Sequence, residues 1–236
     1  DSQNSTRYRV LFVDGPSTQE HKTFIKKICE ENSNYSYIDQ SEPTERIYGA
    51  MNDGFKQAKD GEWVFFWGSD DWAASKYLFF NLLKIIDDDE SIDLLVSKVA
   101  YVNQLDKVNR ISSFKLFRDL RTSLFLGLTP PHQSTLFSPN VRRILKSYNT
   151  NYKISADLNY FLDLSKNKQL KVKLYDEVTV YLGDQGISAK ETNNRLKEVL
   201  KAYKRNFKLF YFVPFIGRYI FRIIGILAWK IKIKIK

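Results

Sequence analysis

Apolar residues come in short blocks separated by polar turns. RYRVLFV (7–13) reads as a buried β-strand, and DGPST (14–18) supplies the turn after it. In EHKTFIKKICEE (20–31), Phe24, Ile25 and Ile28 recur at helical spacing, and YSYI (35–38) is a short strand. Ser41 and Pro43 mark a helix start, because proline suits a first turn; the helix is expected to reach about Lys59 with Ile47, Met51, Phe55 and Ala58 on one face. EWVFFW (62–67) is the next strand, stopped by Gly68, and SKYLFFNLLKII (75–86) is again helical. IDLLVSKVAYV (92–102) and RISSFKLF (110–117) read as a strand pair.

Strand and helix thus alternate three times over residues 7–90. This predicts an α/β fold with a mainly parallel central sheet flanked by helices. Ligands of such sheets bind beyond the carboxyl ends of the strands, where this chain places DGPST and GSDD.

The 236 residues, 43% hydrophobic, suit one α/β domain with an appendage. The single cysteine, Cys29, allows no internal disulfide and fits a reducing compartment. No basic-then-apolar leader precedes the first strand. The net charge of +10 is uneven: residues 190–236 carry 13 Lys/Arg against 2 Glu, and the rest is close to neutral. The division is therefore a domain over 1–189 and a basic tail over 190–236. A nucleic-acid binder carries its charge on a folded face or in a recognisable motif, so no nucleic-acid partner is expected.

The tail segment NFKLFYFVPFIGRYIFRIIGILAW (206–229) mixes Phe, Ile and Leu with Lys208, Arg218 and Arg222. Its longest charge-free run, 209–217, is too short for a bilayer span of about 20 residues. Arg218 and Arg222 share a helix face, Pro214 is expected to bend the helix, and KIKIKIK could extend along anionic headgroups. The segment suits an interfacial amphipathic helix on an anionic membrane surface, or a helix packed on the core or on a partner chain.

The pair Asp70–Asp71 follows Gly68 and Ser69. Loop carboxylates at a strand end suit Mg²⁺, which takes one or two carboxylates together with phosphate oxygens. The same residues also suit a solvated turn that caps the next helix.

VDGPST (13–18), SEP (41–43), IYGAMNDG (47–54), GEWVFFWGSDD (61–71) and HQS (132–134), in this order, resemble the family 2 glycosyltransferases of bacterial polysaccharide synthesis, of the colanic-acid type. The resemblance covers roughly residues 7–190 and implies a GT-A fold and transfer, with inversion, from a nucleotide-sugar donor, UDP- or GDP-linked. It implies a saccharide or lipid-linked acceptor, a Mg²⁺ or Mn²⁺ cofactor, and a place on the cytoplasmic face of the cell membrane. Asp14, with Gly15 and Ser17 beside it, matches the nucleoside contact. Met51 and Asn52 match the helix beside the donor. Asp70 matches a ribose or sugar contact and Asp71 the metal ligand, while His132 and Gln133 match positions beside the acceptor. GDQGIS (183–188) resembles a glycine-rich loop over the site. The pattern differs at Thr44, at Gly49, and at Arg46 where the family has glycine. The family also opens with one more strand and helix before RYRVLFV, so one wall of the donor pocket is expected to be missing. A non-catalytic, membrane-associated partner with this fold is the alternative.

Inversion needs a base for the acceptor hydroxyl. In YKISADLNYFLDL (152–164), Ile154, Leu158, Phe161 and Leu162 form a stripe; Asp157 lies within it and Asp163 to its side. A carboxylate on an apolar face is costly unless paired or functional, and a helix N-terminus also favours an acid. With the resemblance, Asp157 is the expected base.

Overall fold

The computed structural model describes residue 3 and residues 7–103, 107–183 and 191–235, with side chains of the last helix described to Gly225. β1 (Val10–Asp14) leads through α1 (Gln19–Glu31) to β2 (Tyr35–Asp39). A 3-10 turn (Pro43–Glu45) opens into α2 (Arg46–Gln57), followed by β3 (Val64–Phe65), β4 (Asp71–Ala73) and α3 (Leu78–Asp88). β5 (Leu94–Val102), β6 (Val108–Ser112), α4 (Leu120–Phe125), β7 (Thr135–Phe137), α5 (Pro139–Ile144), α6 (Ala156–Leu164) and β8 (Val172–Gly183) complete the sheet region. Two helices close the chain, α7 (Thr192–Phe207) and α8 (Phe212–Ile235).

β1 and β2 pair in parallel as a two-stranded sheet; the larger sheet runs β3-β7-β5-β8-β4, with β6 also on β5. The α/β fold matches the expectation, but the larger sheet is mixed rather than mainly parallel. Within it only β5–β8 is parallel, and the other pairs are antiparallel. Parallel neighbours need a crossover, which α1 supplies for β1–β2 and the stretch through α4 to α6 supplies for β5–β8.

β5 is the centre of the core. Leu94 and Val96 pack with Leu124, Phe137, Leu158 and Phe161 on one face; Leu95 packs with Leu78 and Leu82 of α3 on the other. This alternation places helices on both faces of the strand.

Several apolar faces read as core instead line an open groove of about 2140 Å³. Val10–Val13 are only half-buried, so β1 is not the buried strand expected. Its pairing uses one edge, and its residues line the groove together with Ile25, Met51, Trp67 and Leu82. In α2 the buried positions are Tyr48, Gly49, Asn52, Asp53 and Phe55, while Ile47 is 44% exposed. EWVFFW contributes a strand of only two residues, because only Val64 and Phe65 find partners on β7.

Pro214 lies in the first turn of α8 and starts the helix rather than bending it. The KIKIKIK end continues this helix to Ile235 instead of extending. Gly127 and Gly217 hold α8 against the end of α4. A Cβ on Gly217 would meet the Leu126 carbonyl oxygen at 2.3 Å, and one on Gly127, at φ +86°, would meet the Arg218 nitrogen at 2.2 Å. Among the described residues, no helix is long and apolar enough to cross a membrane.

Candidate functional site

The turn after β1 folds around Asp14. This buried carboxylate accepts from the Ser17 hydroxyl at 2.5 Å and the Tyr37 hydroxyl at 3.4 Å, and Lys22 Nζ stands 4.0 Å away. The Ser17 N–H donates to the Gly15 carbonyl at 2.8 Å, closing the turn. Asp14, Gly15 and Ser17 all face the groove. So does Met51, from α2.

The acidic turn lines the same groove through Gly68, Ser69 and Asp71. The Asp71 N–H donates to the Gly68 carbonyl at 3.2 Å, and the Gly68 N–H donates to Asp71 Oδ2 at 2.6 Å. Glycine at 68 leaves room for both carboxylates, since a Cβ there would lie 2.9 Å from Asp70 Oδ1 and 3.3 Å from Asp71 Oδ2. Asp70 is exposed; a Cβ added to Gly183 would lie 3.3 Å from its Oδ2. That neighbour arrives because β4 pairs with β8, Asp71 opposite Leu182. Burial pushes the Asp71 carboxyl up to about 6, the Asp70 charge adds to this, and the Gly68 N–H opposes it. A divalent cation fits here: hard oxygens are the suitable donors, and positive charge would relieve both burial and like-charge repulsion. Among the described residues, no group of three His, Cys, Asp or Glu side chains is arranged for a metal, so the remaining ligands would be phosphate oxygens and water.

Asp157 lies in the first turn of α6, half-buried on a helix whose other described faces are largely buried. The Tyr48 hydroxyl donates to the Ile154 carbonyl at 2.8 Å and approaches Asp157 Oδ1 at 3.3 Å. Tyr48 is held well above its ordinary pKa by burial first and by the Asp157 charge second, so it stays a donor. Glu198 of α7 accepts the backbone N–H groups of Lys153, Ile154 and Ser155 at 2.7, 2.9 and 2.8 Å, fixing the start of α6. Asp163 points elsewhere, to Lys166 and Arg205. Met51 and Tyr48 are one turn apart on α2, about 4.5 Å along its axis, so the groove and the Asp157 cluster share one rigid helix.

Asn52 and His132, read from the sequence as ligand contacts, are placed in the wall behind the site. Asn52 brackets the Tyr148 backbone, donating to its carbonyl at 3.1 Å and accepting its N–H at 2.7 Å. His132 Nε2 shares a 2.7 Å hydrogen bond with the Tyr148 hydroxyl, and its ring stacks on Phe66. Burial lowers the His132 pKa to about 4 against the opposing pull of Asp157, so this ring is neutral at pH 7. Gln133 is half-buried in the 3-10 turn His132–Ser134. Of the glycine-rich GDQGIS segment only Gly183 lies within the described residues.

Tyr48, Glu198 and Arg218 are the partners that sequence reasoning did not single out for the site. Tyr48 sits inside the quoted IYGAMNDG block, which offered a signal; Glu198 is remote in sequence and offered none. Arg218, read as an interfacial cation, points inward and donates to Thr129 Oγ1 at 2.6 Å, and the Asp157 charge acts on it.

The family model described as Glycosyl transferase family 2 matches residues 2–153. No curated protein matches the chain. Among solved structures, S. aureus TarS 1–349 in complex with UDP-GlcNAc aligns with a TM-score of 0.65 at 18% identity, over 86% of this chain and 59% of that one. The same protein in complex with UDP gives 0.63 at 18% identity, over 86% and 57%. S. aureus TarS gives 0.61 at 16% identity, over 86% and 35%. The chain thus spans less than two thirds of each of these structures, and the likeness is one of fold.

Proposed function

The chain belongs to glycosyl transferase family 2, and on that premise we propose that it transfers a sugar, with inversion, from a nucleoside-diphosphate donor to a saccharide or lipid-linked acceptor in cell-surface polysaccharide synthesis. The observation that carries this reading is that the acidic turn Gly68–Asp71 and the Asp14 turn line one groove. The UDP and UDP-GlcNAc named for the S. aureus TarS structures support a uridine nucleotide donor.

Each residue then has one task. Asp14, held by Ser17 and Tyr37, accepts from the nucleoside. Asp71, with Asp70 beside it, would hold Mg²⁺ or Mn²⁺, which neutralises charge on the departing diphosphate. Asp157 takes the acceptor hydroxyl's proton, and Tyr48 fixes the orientation of its carboxylate. Ile216, Ile220, Ile223 and Ile224 form an exposed apolar stripe on α8, which supports attachment to the inner face of a membrane.

A thermal-shift series of nucleoside diphosphates with and without Mn²⁺ tests the donor assignment. Selective, Mn²⁺-dependent stabilisation by one nucleotide is expected, amounting to about 2.7 kcal/mol at a hundredfold excess over Kd. Equal, metal-independent responses to all of them would overturn it.

A further inference from the structure

Trp72 follows Asp71 directly and is 41% exposed. Burying a ring of this size is among the largest gains open to a side chain, so leaving it out calls for a reason. The β4–β8 pair sets its position. Trp72 stands opposite Tyr181, with ring centroids 5.9 Å apart and planes tilted by 46°. Such a cross-strand pair stabilises the two strands. It does not cover the indole, which also lines the groove beside Gly68, Ser69 and Asp71.

A carboxylate joins the pair on the same side of the sheet. Alternate residues of a strand share a face, so Gly183, two after Tyr181 on β8, lies on the face that carries Trp72 and Tyr181. A Cβ on Gly183 would lie 3.3 Å from Asp70 Oδ2. Two residues of strand span about 7 Å, so one six-membered ring can reach both the aromatic pair and the Asp70 carboxylate. Among the described residues none donates a hydrogen bond to Asp70, which leaves its oxygens able to accept from a ligand.

An exposed aromatic face next to such a carboxylate matches a pyranose. One face of that ring offers C–H groups to an indole, and its hydroxyls donate to a carboxylate. A nucleobase also stacks, but the nucleoside is assigned to Asp14, and Asp71, the residue before Trp72, is assigned the diphosphate to which the sugar is joined. We propose that Trp72 is a specificity-determining residue that stacks on a pyranose whose hydroxyls donate to Asp70, with Tyr181 backing the indole. This rests on the reading of Asp71 as the holder of the donor diphosphate. The transferred sugar of the donor and the terminal sugar of the acceptor share this chemistry, and the test separates them.

The test compares the full chain with its Trp72→Ala and Trp72→Phe variants. In the donor arm, calorimetric titration with Mn²⁺ measures UDP, UDP-glucose, UDP-galactose and UDP-N-acetylglucosamine. A donor sugar on Trp72 predicts that Trp72→Ala weakens the preferred UDP-sugar about tenfold, the scale of one aromatic contact, and leaves UDP unchanged. In the acceptor arm, saturation-transfer NMR follows methyl β-glucopyranoside and methyl β-galactopyranoside. An acceptor sugar on Trp72 predicts transfer to the ring C–H protons that Trp72→Ala abolishes while UDP-sugar affinities stay unchanged. In both cases Trp72→Phe, which keeps an aromatic face, should retain most of the wild-type signal. A wild type showing neither response, or a Trp72→Ala variant that keeps whichever one it shows, would overturn the proposal. So would equal weakening of UDP and UDP-sugar, which would mean that Trp72 only shapes the Asp71 turn. Absence of any UDP response in the wild type would instead count against the donor assignment, and the glycoside arm would still report on Trp72.

Discussion

Asp71→Asn should make the free protein more stable while removing its metal response. The folded chain holds the Asp71 proton more tightly than the unfolded chain, with the carboxyl raised from 3.8 to about 6. Folding therefore takes up protons between these values. Stability contributed at this residue is greatest below about pH 4, falls as pH rises through about 6, and stays lower above. At 1.36 kcal/mol per pH unit, full ionisation costs about 3 kcal/mol. Partial solvent access reduces that to about 1–2 kcal/mol. Asparagine retains an oxygen for the Gly68 N–H and removes the charge, so at pH 8 in EDTA the variant should melt roughly 2–6 °C higher than the wild type. At pH 4 the two should coincide. Scanning calorimetry across pH, read as the difference between the two proteins, cancels every other titrating group. Adding UDP with Mn²⁺ should then raise the wild type and leave the variant unmoved. A variant no more stable than the wild type at pH 8 would refute the argument that burial and Asp70 destabilise this carboxylate.

Two further substitutions probe the site and its frame. Tyr48→Phe removes donation to the Ile154 carbonyl and Asp157; about 1 kcal/mol of stability should be lost, and transfer should fall about tenfold while UDP binding stays intact. Unchanged transfer, measured by product release, would remove Tyr48 from the positioning role. Arg46 stands at φ 57°, a left-handed conformation that a side chain disfavours by about 1–2 kcal/mol. Arg46→Gly should relieve this and stabilise by about 0.5–1 kcal/mol after the glycine's unfolded-state entropy, since its exposed pair with Glu191 contributes little. A lower melting temperature would contradict it.

Arg46 also shows how far the sequence could be read. Its place in the family pattern is a glycine, and the positive φ explains why: the turn from Pro43–Glu45 into α2 favours a residue without a Cβ. The Gly68–Asp71 turn and the acid in the first turn of α6 were legible for the same reason, being built from neighbours in the chain. Period and turn chemistry act over a few residues and require no partner surface.

What surrounds these local features depended on the fold. Helical spacing marked Ile47, Met51 and Phe55 as one face of α2, yet Tyr48, Gly49, Asn52, Asp53 and Phe55 are the buried set. The polar members are admitted because Tyr148 and Ser41 supply hydrogen bonds from remote stretches. Spacing placed Arg218 and Arg222 together at an interface, but close Gly127–Gly217 packing turns Arg218 inward to Thr129. Likewise Gly183 meets Asp70 through the β4–β8 register, and Glu198 caps α6 from 40 or more positions away. The sequence alone marked the strands β1, β2 and β5, the helices α1, α2, α3 and α6, and the acidic turn at Gly68–Asp71. Only the tertiary structure decided which face of each is buried and which charges meet, because those outcomes depend on surfaces brought together from distant parts of the chain.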